Sequence, residues 1–101
     1  MIYLNEYVKE KTNKMVDAFF ELCDKRKEEK GKKIKHASYR IEADIDTEYK
    51  LVLMWADSWK LVYKESGAEM IEIKDLPMNA LPELIRKFTE CIIEDYYMEI
   101  M

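Results

Sequence analysis

Glycine and proline are scarce, with two of each among 101 residues. So few glycines exclude a phosphate-cradling P-loop, a dinucleotide-binding fingerprint and a collagen repeat, all of which need glycine at fixed spacings. Cysteine is equally scarce, Cys23 and Cys91 only, whereas a small secreted domain compensates for a modest core with several disulfides. With the single histidine, His36, they supply three zinc ligands at most and share no ligand spacing, so no metal and no cofactor is expected. The longest uncharged apolar run is residues 51–56, far below the roughly 20 that cross a bilayer. The chain opens without a basic segment, an apolar segment or a small-residue cleavage site, so the cytoplasm is the expected compartment. Glutamine is absent and lysine outnumbers arginine 14 to 3, a bias of AT-rich coding that bears on source and not on chemistry.

What is present is apolar and charged in near balance. Hydrophobic residues at 49% are too many for disorder, and the charge of −4 is modest. The length suits one domain over 1–101. Leu4, Tyr7, Val8, Met15, Val16, Phe19, Leu22 and Cys23 recur at three- and four-residue spacing, which predicts an amphipathic helix from about 5 to 30, with Asn5 as cap and Gly31 as stop. Ala37, Tyr39, Ile41, Ala43 and Ile45 then alternate with polar residues, the pattern of a half-buried strand. Strands over 49–56, 59–64 and 68–74 follow, separated by turns at 46–47, 57–58 and 66–67. Connections this short exclude parallel crossovers. After Pro77 a second helix carries Leu81, Leu84, Ile85, Phe88, Cys91, Ile92 and Tyr96, and the chain stays apolar through Tyr97, Met98, Ile100 and Met101. The fold class is α+β, in the order α-β-β-β-β-α, with an antiparallel meander flanked by a long N-terminal and a C-terminal helix. This order is similar to that of the double-stranded RNA-binding domain. That family places a basic cluster at the start of its last helix, where residues 77–83 hold no cation, and here a strand is extra.

Three features bear on function. The first is the basic tract Lys25, Arg26, Lys27, Lys30, Lys32, Lys33 and Lys35, a net +5 with its two glutamates in a chain of −4. It suits a nucleic-acid backbone or an acidic protein patch, although a helix C-terminus also favours lysine for its dipole alone. The second is the sheet, whose second strand is apolar on both faces. If the helices share one face, the other presents Tyr49, Leu51, Leu53 and Trp55, or else Val52, Met54, Trp59, Leu61 and Tyr63; register decides between the sets. Helices on opposite faces would bury both. An exposed set rich in Trp, Tyr and Met is the composition of an interface core.

The third is acidity around Glu42, Asp44, Asp46, Glu48 and Asp57, and again at Glu90, Glu94, Asp95 and Glu99. Asp44, Asp46 and Glu48 have the spacing that opens an EF-hand loop, but Tyr49 stands where its glycine is needed and Trp55 where its glutamate is, which excludes calcium. Rows of carboxylates can also imitate a phosphate backbone. No nucleophile elbow, kinase loop or deaminase signature occurs, so catalysis is not expected. Size, acidity and residue usage are similar to those of small phage and mobile-element inhibitors, the anti-CRISPR and other anti-defence proteins. The expectation is a binding protein that occludes a partner's site through Trp55, Trp59, Tyr63, Tyr97 and Met98 and self-associates as a dimer. A nucleic-acid-binding module built on the tract 25–35 is the alternative.

Overall fold

The computed structural model describes residues 4–30, 40–54, 58–76 and 80–100. Helix α1 (Leu4–Lys30) is followed by strands β1 (Arg40–Asp44), β2 (Tyr49–Met54), β3 (Ser58–Tyr63) and β4 (Glu69–Ile73), then by helix α2 (Leu81–Ile100). The strands pair antiparallel in sequence order, so the sheet is a meander with β1 and β4 at its edges. Residues 37–39 and 55–56, the expected extensions of β1 and β2, lie outside the described residues, as do Asp57 of the expected second turn and Gly31. Local chemistry sets both described hairpin turns. Asp46 folds the β1–β2 turn around its own carboxylate, which accepts the N–H of Glu48 at 2.8 Å and of Tyr49 at 2.9 Å. Gly67 takes φ 75° in the β3–β4 turn and donates its N–H to the Tyr63 carbonyl at 2.8 Å, a conformation that glycine reaches without Cβ strain.

Register assigns the faces. Tyr49 pairs with Tyr63, Leu51 with Leu61 and Leu53 with Trp59, while Ile41 and Ala43 align with Leu53 and Leu51. Directly opposed residues share a face, so Trp59, Leu61 and Tyr63 join Tyr49, Leu51 and Leu53. Grouping the strands with Val52 and Met54 alongside Trp59 is therefore corrected by the pairing. Met15, Ala18, Phe19 and Leu22 of α1 and Leu84, Phe88 and Ile92 of α2 bury this one face. Both helices lie on it, and the arrangement with a helix on each face does not occur. A register shift at Leu61/Val62 bends β4 locally, and Met70 and Ile71 both pack against the core.

The open face is not the apolar surface that strand composition suggested. Its long side chains are paired charges: Glu42 with Arg40 at 3.0 Å and Lys50 at 2.9 Å, Lys64 with Asp44 at 2.7 Å, and Lys60 with both Glu69 and Glu72. Val52 and Val62 are fully buried on this face, covered by neighbouring side chains as aliphatic stems allow. One edge is also covered. Lys25 of α1 donates to the Glu42 carbonyl of β1 at 2.6 Å, satisfying a group that an edge strand otherwise leaves open.

The helices run antiparallel. The Tyr7 ring of α1 lies 4.6 Å from the Tyr96 ring of α2. Farther along α1, Phe19 stacks on Trp59 at 4.9 Å, and the Trp59 indole N–H donates to the Leu76 carbonyl at 3.3 Å, just ahead of α2. Trp59 thus joins α1, the sheet and the segment before α2. Replacing it by alanine is expected to cost about 3–5 kcal/mol, the range for truncating a buried aromatic. Trp59→Phe leaves the Leu76 carbonyl unmatched and costs about 1–3 kcal/mol on that account. Urea denaturation of both variants measures the difference.

Candidate functional site

The apolar stripe of α1 skips one turn between Val8 and Met15, and the residue in that gap is Lys11. It is 7% exposed, and an ammonium buried that deeply without a partner costs several kcal/mol. Its partner is Asp46 in the β1–β2 turn, and both side chains are almost wholly enclosed. The ammonium also sits 5.1 Å from the centre of the Tyr7 ring and 5.3 Å from that of Tyr49, within cation–π range. Burial pushes the Asp46 carboxyl up, but Lys11 and the N–H groups of Tyr49 and Glu48 outweigh it and hold the group below its ordinary value.

A second carboxylate completes the cluster. Asp95 follows Ile92 by three residues on the inward side of α2, and two phenols converge on it. Tyr49 donates to Oδ2 at 2.5 Å and Tyr63 to Oδ1 at 2.6 Å. The two tyrosines are cross-strand neighbours with ring centres 5.9 Å apart. Burial first, and then the Asp95 carboxylate, drive the Tyr49 phenol far above its ordinary range, so it stays protonated and donating. The cluster therefore ties α1, the β1–β2 turn, β2, β3 and α2 together at one end of the molecule. Each carboxylate accepts two or more donors, so this chemistry holds elements in place.

The residues singled out by sequence scatter. Trp55 lies outside the described residues. Trp59 is fully buried and serves the core, where no partner reaches it. Tyr63 is half-buried and engaged with Asp95. Tyr97 and Met98 are on the surface, 45% and 76% exposed. In the basic tract, Lys25 spans to the Glu42 carbonyl and lies 3.5 Å from Glu21, Arg26 is half-buried, and Lys27 is exposed. Lys30 closes α1, and Lys32, Lys33 and Lys35 lie outside the described residues with His36. Phe20, 55% exposed on α1, lies off the apolar stripe that the spacing picks out. Lys11 is absent from the sequence reading, and Asp95 enters it only as one of a row of surface carboxylates. Their signal is a charge interrupting an apolar stripe.

An open cleft of about 480 Å³ lies between α1 and the β1 edge, lined by Glu21, Lys25, Glu42, Ala43, Asp44, Lys50 and Lys64. Its cations and carboxylates are matched in number and paired, which leaves no net charge to attract an ion. Both cysteines are free, and burial pushes each thiol up, away from the reactive thiolate. Among the described residues no group of His, Cys, Asp and Glu is arranged to hold a metal ion, and no helix is long and apolar enough to cross a membrane. Comparison with protein-family models, with curated proteins and with solved structures yields no match.

The cluster predicts a large cost for removing one charge alone. Asp46→Asn keeps an acceptor for the turn but leaves Lys11 buried and uncompensated, an expected loss of about 3–5 kcal/mol. Adding Lys11→Met recovers much of it, and a double-mutant cycle in urea reads the coupling. Because the folded carboxyl binds its proton less readily than the unfolded one, this stabilisation is complete above the ordinary Asp value of 3.8 and fades as pH falls through the lower folded value. Wild-type stability should thus drop more than that of Asp46→Asn between about pH 5 and pH 2. Asp95→Asn leaves one acceptor for two phenols, with an expected cost of about 1–3 kcal/mol.

Proposed function

We propose that this chain acts in the cytoplasm by binding a protein partner and covering a site on it, in the manner of small anti-defence or immunity proteins of phages and mobile elements. The observation that carries this reading is the C-terminal end of α2. Tyr97 and Met98 are exposed there while Ile92 and Asp95, on the inward side of the same helix, are held against the body. An aromatic ring and a methionine on a helix end already fixed in place suit an interface anchor, because little ordering cost remains to be met on binding. Phe20 adds a second exposed apolar residue on α1. The open sheet face adds nothing to a nucleic-acid surface: Arg40, Lys50, Lys60 and Lys64 are all matched by carboxylates, so they offer little net positive field to a phosphate backbone, and that alternative rests on the tract 25–35 alone.

The test is affinity capture from nuclease-treated extract of the cells that encode the chain. Wild type is expected to retain one protein in near-stoichiometric amount, and Tyr97→Ser/Met98→Ser to lose it by tenfold or more while unfolding at the same urea concentration. Capture that disappears with nuclease, or that ignores the double substitution, would contradict the proposal.

A further inference from the structure

The two edges of the sheet differ in what covers them. In β3 the Tyr63 N–H and carbonyl bond across the turn to Ala68 and Gly67. By alternation Leu61 and Trp59 also direct their backbone groups at β4, and their partners Ile71 and Ile73 direct theirs back. Glu72, between those two, therefore turns its N–H and carbonyl outward from the sheet. At the opposite edge Ile45 donates to the Tyr49 carbonyl of β2, so the same alternation turns Glu42 of β1 outward. The Glu42 carbonyl is covered by the Lys25 ammonium at 2.6 Å. Among the described residues no group bonds the outward backbone of Glu72. An edge left open in this way is a template for a further strand.

The helix above that edge carries the second observation. α2 packs over β4, whereas α1 packs over β1 and β2, and Tyr96 is the α2 residue that meets Tyr7 of α1. Lys87, Cys91, Glu94 and Met98 lie about 140–180° around the helix from Tyr96, so they form the flank on the β4 side. Glu94 is exposed, and among the described residues no cation pairs with it. Lys87 lies 3.8 Å from Glu83. We infer that a second copy of the chain docks here, β4 against β4 antiparallel, in a closed dimer. Pairing centred on Glu72 joins its N–H and carbonyl to those of the second copy, and the two-fold axis sets the α2 helices side by side and antiparallel. With that axis beside Cys91, Lys87 stands about 6 Å along the helix from it, and Glu94 of the second copy about 4.5 Å in the same direction. Two Lys87–Glu94 pairs form. On the open face Glu72 is held at home by Ser58 at 2.9 Å and Lys60 at 3.5 Å. Lys74, 75% exposed and on the same face, reaches Glu72 of the second copy diagonally. Opposite charges that match reciprocally about one axis name the occupant as this chain itself. Because the β1 edge is covered, assembly stops at two copies. The expected dimer thereby moves from the aromatic set to the β4 edge. This inference goes beyond the partner-binding reading and does not rest on it: Tyr97 lies off the flank, and Met98 stands about 10 Å from the axis.

Sedimentation velocity and amide hydrogen exchange on the purified full-length chain test this. The weight-average mass is expected to rise with concentration to that of a dimer and to go no further. Exchange at the Glu72 amide should slow about tenfold or more as the dimer fills. Glu94→Lys sets like charges against Lys87 on both sides of the axis and should weaken the dimer about tenfold or more. Lys87→Glu/Glu94→Lys, which exchanges the two charges, should bring the affinity back to within about threefold of wild type. Circular dichroism and urea midpoints establish that both variants fold. A wild-type chain that stays monomeric at several hundred micromolar would overturn the inference, as would assembly beyond the dimer. So would a dimer in which Glu72 exchanges as freely as in the monomer, or a charge-exchanged variant as weak as Glu94→Lys. A monomeric wild type leaves the capture experiment above unaffected, so the failure of one is distinguishable from the failure of the other.

Discussion

The polar cluster at the hairpin end is the constraint on which the remaining arrangement depends. A four-stranded meander with two helices on one face could be closed by apolar packing alone, and at the end nearest Leu76 it is: Phe19, Trp59, Leu84 and Phe88 meet there without a charge among them. At the other end, the core positions fall to Lys11 and Asp95. Neither charge is tolerable there without a specific partner, so the β1–β2 turn must present Asp46 and the sheet must present Tyr49 and Tyr63 side by side. Apolar surfaces can slide against one another at small cost, whereas these hydrogen bonds are satisfied in a single geometry.

That difference has a consequence for α2. Its inward apolar residues end at Ile92, two turns before the end of the helix. Asp95 and the contact of Tyr96 with Tyr7 tether the turns beyond Ile92, and helix ends without tertiary support fray. The cluster extends the ordered helix to the turns that carry Tyr97 and Met98, so the same interaction that closes the fold also fixes what the molecule displays.

Much of this architecture was legible in the sequence, and the reasons are local. Helical periodicity in α1, alternation in β1 and the turn residues Asp46 and Gly67 each act over a few positions, and each element formed where its pattern lay. Faces and sites were less legible because they depend on distant pairings. Alternation along β2 and β3 names two sets of side chains per strand, and only the alignment of Leu53 with Trp59 decides which sets share a face. That alignment sent Trp59 into the core. Lys11 is readable only as an interruption in an apolar stripe and Asp95 only as one carboxylate in an acidic row, and their partners lie 35 residues away in one case and 46 and 32 in the other. The basic tract looked uniform in sequence, yet Lys25 serves the β1 edge while Lys27 faces solvent.

The claim that the cluster holds the end of α2 is tested most directly by native-state hydrogen exchange along that helix. The account predicts that the amides of Asp95 and Tyr96 exchange only through global unfolding, with the same opening free energy as those of Leu84 and Phe88. Exchange several kcal/mol easier at Asp95 and Tyr96 than at Phe88 would mean that the last turns open on their own, and that the two tyrosines and their carboxylate do not secure them.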